Sequence, residues 1–318
     1  MYENTHGDRE GITAPDITRL AEGLLEAQGA GGHVKPPSAT HGLRLEDAYR
    51  VGSEIARRRM KGGWRLAGWK VGLTNREIWQ RWGLDRPIIA PVYRETVFRV
   101  PGEAQASPRA DAQPGPAGPA RLSVPMGTRA APRLEVEVVF GFAGSSADPA
   151  WVALGVELVD CHYSGWKFDP ADGVADFGLH AALIVGPRVL LLRGRPGAAD
   201  STRSAAGSTR SAAGSTRSAA GFARSLPQMA VALSGDGEAL ARGRGDAVLG
   251  SPFHVLAELH GSLGPAIAVY PAPEADSREA GHSYLVSTGT LTPLVEARIG
   301  TTYRVEADQL PSFSFVLV

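Results

Sequence analysis

From Arg133 to Phe142 the chain reads Arg-Leu-Glu-Val-Glu-Val-Val-Phe-Gly-Phe, and that alternation suits a β-strand. Side chains alternate across a strand, so Leu134, Val136 and Val138 share one face while Glu135 and Glu137 share the other. The two carboxylates then stand side by side, with Cα atoms roughly 7 Å apart. Like charges at that spacing need a cation, a shared proton or open water. Alone, the pattern describes a half-buried strand with a wet outer face. A third carboxylate changes the reading. From Trp151 to Val159 every residue except Glu157 is apolar or glycine, and an ionised carboxylate in a buried run is costly unless paired or bound to metal. Three carboxylates with no cysteine or histidine cluster describe an oxygen-only site, suited to Mg²⁺ or Mn²⁺ rather than zinc. Glu135, Glu137 and Glu157 are the candidate ligands.

The bulk numbers remove several alternatives. Thirty-three basic and 33 acidic side chains cancel, which leaves no electrostatic case for nucleic acid or an anionic membrane as a partner. A single cysteine, Cys161, excludes an internal disulfide framework and fits a reducing cytoplasm. No stretch has the apolar length of a signal peptide or a membrane span, so a soluble, cytoplasmic protein is expected. Neither a P-loop, a dinucleotide-binding glycine pattern nor a nucleophile elbow is present. Among the 33 basic residues only Lys35, Lys61, Lys70 and Lys167 are lysines. In so arginine-rich a chain a surviving lysine is a candidate for work that arginine cannot do, since only lysine can exchange a proton near neutrality.

At 318 residues the chain is expected to hold one large domain and a smaller one. Thr13 and Pro15 start a helix that runs to Gly29, and a second spans Leu45 to Met60. A short glycine-bearing strand, Trp64 to Thr74, carries Lys70, and Thr74-Asn-Arg-Glu77 reads as a capping box. Pro91 to Phe98 reads as one strand. Residues 1–103 thus form an N-terminal, helix-led segment. Residues 104–130, rich in Pro, Ala and Gly, read as a linker, and 131–318 as the β-rich body. Three copies of Ser-Thr-Arg-Ser-Ala-Ala-Gly at 201–221 lack large apolar positions and read as a flexible loop over about 195–225. Beyond them come a hairpin about Gly235-Asp236-Gly237, a helix opened by Ser251 and Pro252, and strands at Tyr284–Thr290, Tyr303–Glu306 and Phe313–Val318. Helices first and strands after them argue an α+β fold.

An ordered set of short motifs resembles a known family. Gly68-Trp-Lys-Val-Gly-Leu-Thr74, Gly83-Leu-Asp-Arg-Pro87, Glu135-x-Glu137, Glu157-Leu-Val-Asp160, Trp166-Lys167, Asp172-Gly-Val-Ala-Asp176 and Ser287-Thr-Gly-Thr-Leu291 occur in the order seen in 2-keto-4-pentenoate hydratases. The 4-oxalocrotonate decarboxylases are their close relatives within the fumarylacetoacetate hydrolase superfamily. The resemblance covers about 43–103 and 131–318, apart from the repeats. It implies a mixed β-sheet sandwich or roll behind an N-terminal helical segment, and a divalent metal held by Glu135, Glu137 and Glu157. It places the family's lysine at Lys70, two aspartates at Asp85 and Asp176, and substrate-side positions at Leu73, Gly289 and Thr290. It also implies a homo-oligomer able to pair with a second enzyme of aromatic hydrocarbon catabolism. Four positions depart from the pattern: Phe177 stands for the usual asparagine, His180 for a small residue, and Ile89-Ala90 for Phe-Gly. They imply an altered substrate-facing wall.

The chemistry follows from the substrate class. A small 2-oxo acid offers a carboxylate and an adjacent oxygen that can chelate a metal, which stabilises the enolate. Lys70, between Trp69 and Val71, reads as a partly buried amine whose pKa falls toward a proton-transferring range. Asp85 either orients water or caps its own turn. Asp176 serves as acid or base, or holds the pocket wall. Lys167 reads as a solvated partner of Asp169 or Asp172, and His162 and His180 as satisfied core histidines. Hydration of a 2-hydroxydienoate, decarboxylation, C–C hydrolysis and a non-catalytic partner role remain open, because one carboxylate strand serves all of them.

Overall fold

The computed structural model describes residues 12–100, 122–144, 146–191, 219–270 and 284–318. Its strands are β1 (Leu66–Gly72), β2 (Ile88–Tyr93), β3 (Val97–Arg99), β4 (Leu122–Val124), β5 (Pro132–Phe142), β6 (Pro149–Asp160), β7 (His180–Val185), β8 (Val189–Leu190), β9 (Ala230–Gly235), β10 (Glu238–Arg244), β11 (Tyr284–Thr290), β12 (Val295–Glu296), β13 (Thr302–Ala307) and β14 (Phe313–Leu317). Among the described residues a nine-stranded sheet runs β2-β1-β11-β5-β6-β7-β3, with β12 on β5 and β8 on β6. A five-stranded sheet runs β10-β9-β13-β14-β4. The larger sheet is mixed: β1 with β11 and β3 with β7 are parallel, the rest antiparallel. The α+β expectation holds.

The larger sheet is a roll. Its outermost strands, β2 and β3, are joined by only Arg94–Thr96. Three residues cannot span a flat sheet of this width, so the two edges must curl toward each other.

Register then decides what lies inside. Directly paired residues share a face. Glu135 pairs with Glu157, Glu137 with Gly155, and Val139 with Ala153. Glu157 pairs with Leu183, Val139 with Ser287, and Ser287 with Lys70. The face of β5 that carries the glutamates is therefore the interior of the roll. Alternation alone made it a wet outer face; closure of the sheet makes it an inner one. One end of that interior is dry, with Val92, Val139, Trp151, Ala153, Leu183 and Leu285 packed together. The other end holds the charges. On the opposite face of β5 and β6, Leu134, Val136, Val138, Phe140, Leu154 and Val156 are fully buried in one core with Leu233, Val305 and Phe315 of the second sheet. Each such side chain contributes about 1.5–3 kcal/mol of burial, so the register that drives the glutamates inward is enforced from behind.

Two helices, Ala14–Ala30 and Leu45–Lys61, bring Ile17, Leu24, Val51 and Ile55 against Tyr163, Val174 and Phe177. They brace the segment that walls the charged end. Thr13 starts the first helix, as expected, and does so through a capping box with Asp16.

Several local expectations change. Asn75, not Thr74, caps the turn at Arg76–Ile78, and the side chain of Thr74 lies instead against Gly289. The single strand expected over Pro91–Phe98 is broken by the 3₁₀ turn at Arg94–Thr96, the turn that closes the roll. Within the expected linker, Leu122–Val124 forms β4 and pairs with β14, while residues 101–121 lie outside the described residues. Most of the repeat loop, 192–218, also lies outside them, and its expected end is the helix Ala219–Ser225. β1 to β3 of the N-terminal segment share one sheet with β5 to β7.

Candidate active site

The charged end of the roll is built by β1, β5, β6, β7 and β11. One oxygen each from Glu135, Glu137 and Glu157 lies within 4.8 Å of the others. Glu137 and Glu157 are fully buried and Glu135 is half-buried. Gly155 stands opposite Glu137, where a Cβ would come within 2.5 Å of Val139 Cγ2, so glycine keeps the sheet closed at this point. Glu137 Oε2 accepts hydrogen bonds from the Ser287 hydroxyl and, at 3.1 Å, from the Gly289 N–H. Its Oε1 has no hydrogen-bond partner. Glu157 Oε1 lies 2.7 Å from His180 Nδ1, and Oε2 lies 3.0 Å from Lys70 Nζ. The Lys70 ammonium also donates to the Gly178 carbonyl at 2.9 Å.

Burial and mutual repulsion set the charge states. Burial pushes the Glu135 carboxyl up to about 7, and Glu157 adds to the rise while Lys70 opposes it. Glu137 is raised well above the usual carboxylate range by burial and by its two neighbours. Burial also disfavours ionised Glu157, but Lys70 and His180 overcome it and hold this carboxyl below its ordinary value. For Lys70 the outcome reverses the sequence expectation. Burial alone would lower the amine, yet Glu157, Glu135 and Glu137 together hold it above its ordinary value. In the metal-free chain Lys70 is thus an ammonium at neutral pH.

The sign for stability follows. The metal-free folded chain keeps protons on Glu135 and Glu137 at pH values where the unfolded chain has released them, so stability falls as pH rises from the carboxylate range through about 7. Chelated protein should therefore melt lower at about pH 8 than at about pH 5.5, and Mg²⁺ should remove most of the difference. Thermal denaturation with and without chelator measures this. A metal-free melting point that climbs over the same range would contradict protonated Glu135 and Glu137.

A cavity of about 180 Å³ opens beside the carboxylates. Lys70, Leu73, Glu135, Gly289 and Thr290 all line it, so five of the residues singled out in the sequence meet at one place. Gly289 has φ +98, and a Cβ there would meet Thr74 Oγ1 at 2.4 Å. Two of the sequence candidates do not join. Asp85 is exposed, pairs with Arg86 at 2.8 Å, and lines a different cavity with Tyr49 and Ser262. Nothing in this arrangement places it to orient water at the carboxylates. Asp176 is fully buried and accepts from the His162 backbone at 3.1 Å while lying 2.7 Å from His162 Nδ1. These contacts fit the wall-holding alternative. Asp172 is likewise not paired with Lys167: its acceptors are used by Ser38 at 2.6 and 2.7 Å and by the Asp169 N–H at 2.9 Å.

His180, Ser287 and Thr96 belong to the site; the sequence marks His180 only as a departure in the substrate-facing wall and a core histidine, Ser287 only as part of a motif, and Thr96 not at all. His180 bridges Glu157 and the Thr96 hydroxyl, 2.8 Å from Nε2. The available signal is a histidine opening a strand beside an acidic one. Phe177 takes a distinct place: its ring lies 4.3 Å from the guanidinium of buried Arg59, which also faces Trp64 at 4.6 Å and Tyr93 at 4.7 Å. This cation–π cluster anchors the turn whose Gly178 carbonyl holds Lys70.

The donor set fits a hard divalent cation. It comprises three carboxylates with oxygens inside 4.8 Å, one of them carrying a buried oxygen without a partner, against a single amine. Comparison with known proteins agrees on the fold. No family model matches the chain. A 2-keto-4-pentenoate hydratase from Burkholderia vietnamiensis is 25% identical over 311 residues, covering 93% of this chain and 95% of its own. A 4-oxalocrotonate decarboxylase from a Pseudomonas species is 23% identical over 303 residues, covering 94% and 97%. The solved 4-oxalocrotonate decarboxylase from Pseudomonas putida G7, complexed with magnesium and adipate, superposes with a TM-score of 0.70 at 21% identity, over 98% of this chain and 100% of that one. Over nearly its whole length the chain is thus similar to 2-keto-4-pentenoate hydratases and to 4-oxalocrotonate decarboxylases, and it has the fold of the solved decarboxylase.

Proposed function

We propose that this protein is a divalent-metal-dependent hydro-lyase of the 2-keto-4-pentenoate hydratase type, adding water to a small 2-hydroxydienoate. The observation that carries the reading is the meeting of Glu135, Glu137 and Glu157 with the Lys70 ammonium beside one cavity, which Lys70 and Glu135 line. Mg²⁺ or Mn²⁺ held by the three carboxylates supplies a Lewis acid for the carboxylate and 2-oxygen of the substrate. The chain does the rest. An ammonium has three N–H donors; Lys70 donates one to the Gly178 carbonyl and forms an ion pair with Glu157, which leaves donor capacity for the substrate. Ketonising the dienol delivers a proton to carbon as the enol O–H is lost, and hydration delivers another as the added water gives up its own; the reading gives Lys70 the task of carrying them. Gly289 and Thr290 border the same space and offer a close approach to the substrate carboxylate. The reading places the enzyme in the cytoplasm, as a homo-oligomer in aromatic hydrocarbon catabolism, where a paired decarboxylase would supply its substrate. It is supported by hydratase names among the homologues.

Glu135→Gln should abolish turnover of a 2-hydroxydienoate, and chelation of the wild type should do the same until Mg²⁺ is restored. Loss of dienol absorbance, with gain of water in the product read by mass spectrometry, measures both. Release of CO₂ or of two carbon fragments would redirect the reading to another lyase or a hydrolase; turnover that survives chelation would end it.

A further inference from the structure

Each fully buried glutamate of the site has one oxygen engaged and one left over. Glu137 Oε2 accepts from the Ser287 hydroxyl and the Gly289 N–H, while Oε1 has no hydrogen-bond partner. Glu157 Oε1 lies 2.7 Å from His180 Nδ1, while Oε2 has no hydrogen-bond partner and pairs with the Lys70 ammonium at 3.0 Å. The anchors differ in origin. Ser287 and Gly289 belong to a motif, whereas His180 departs from the pattern, and a small side chain in its place could not reach Glu157.

The histidine is itself locked in place. Its side chain is 1% exposed. An ionised carboxylate can only accept, so Nδ1 carries the ring proton and donates it to Glu157. On the far side of the ring, Nε2 lies 2.8 Å from the Thr96 hydroxyl, which also lies 2.9 Å from the Tyr93 carbonyl. Thr96 ends the turn Arg94–Thr96 that joins β2 to β3 and closes the roll. Pairing of Val159 with His180 across β6 and β7 fixes the height of the ring along the strand. The imidazole is therefore wedged between the seam of the roll and one glutamate.

Such a wedge matters to an ion. If Glu157 turned to offer both oxygens to a cation, it would leave a buried Nδ1–H without its acceptor. Mg²⁺ is satisfied by single carboxylate oxygens and water, whereas Ca²⁺ takes about six to eight oxygens and often draws two from one carboxylate. We propose that His180 is a positioning residue for the cation: by holding Glu157 Oε1 against the closing turn, it presents that carboxylate through Oε2 alone and disfavours ions that need both oxygens. The proposal rests on the reading above that the three carboxylates hold a divalent ion.

Calorimetric titration of chelator-stripped, full-length protein with Mg²⁺ and with Ca²⁺ gives the ratio of the two dissociation constants. His180→Leu keeps bulk but removes the donor, and the Ca²⁺-to-Mg²⁺ ratio should fall by about tenfold, the weight of one hydrogen bond to a charged group. His180→Asn keeps an N–H at the same distance from the backbone as Nδ1 and should restore the ratio of the wild type. Thr96→Val removes the hydroxyl behind the ring and should move the ratio in the same direction as His180→Leu, by less. A histidine that only fills space would weaken both ions alike. An unmoved ratio in His180→Leu, or an asparagine variant that behaves like the leucine one, would therefore overturn the proposal and leave the cation reading standing. If His180→Leu shows no cooperative unfolding transition, Thr96→Val decides in its place, and an unmoved ratio there overturns the proposal. A wild type that binds neither ion would overturn the proposal and the cation reading together.

Discussion

Glu157→Gln should lower the stability of the metal-free fold by about 3 kcal/mol and abolish cation-dependent turnover. Glu157 is fully buried and serves two cationic or potentially cationic groups, Lys70 at 3.0 Å and His180 at 2.7 Å. Glutamine keeps the shape and one acceptor but removes the charge, leaving a buried ammonium without its nearest counter-ion. Breaking a buried pair from one side typically costs about 3–5 kcal/mol. The lower end applies here because Glu135 and Glu137 stand close enough to ionise in its place. Urea denaturation in chelator reads the stability, and a loss under about 1 kcal/mol would mean that the charge of Glu157 is not what keeps Lys70 buried.

Lys70→Met should separate the two functions of the amine. With the competing cation removed, the three carboxylates should bind Mg²⁺ more tightly than in the wild type. Turnover should nevertheless fall by about 10²- to 10⁴-fold, the usual weight of a positioned proton donor. Calorimetric Mg²⁺ titration and steady-state kinetics measure the two halves. Weaker metal binding together with lost turnover would make Lys70 a scaffold for the carboxylates; turnover within a few-fold of wild type would remove it from the chemistry.

The carboxylate pattern is legible in the sequence because strand alternation is a strictly local rule. Glu135-x-Glu137 fixes which residues share a face, and the apolar run around Glu157 announces a group that needs a partner. Which face is inside is not legible, since that depends on closure of the sheet through Arg94–Thr96, a junction that reads as continuous strand. The direction of the Lys70 pKa is hidden for a related reason. Burial is visible in Trp69 and Val71, but the three opposing charges come from strands more than 60 residues away. The bond from His180 to Glu157 is not legible because a histidine's partners are tertiary: only the β6–β7 register puts it beside Glu157. Asp85 matches a motif, yet motif order says nothing of where an exposed loop side chain points, and here it turns to Arg86.

The parallel pairing of β1 with β11 sets Lys70 against Ser287, from opposite ends of the chain. Ser287 and Gly289 in turn tether Glu137. An emerging polypeptide can therefore display all its acids and its amine long before it possesses a chelating centre. Ser287, 150 residues beyond Glu137, must be in place before that carboxylate is tethered, so the centre depends on contacts of high sequence separation, which form slowly.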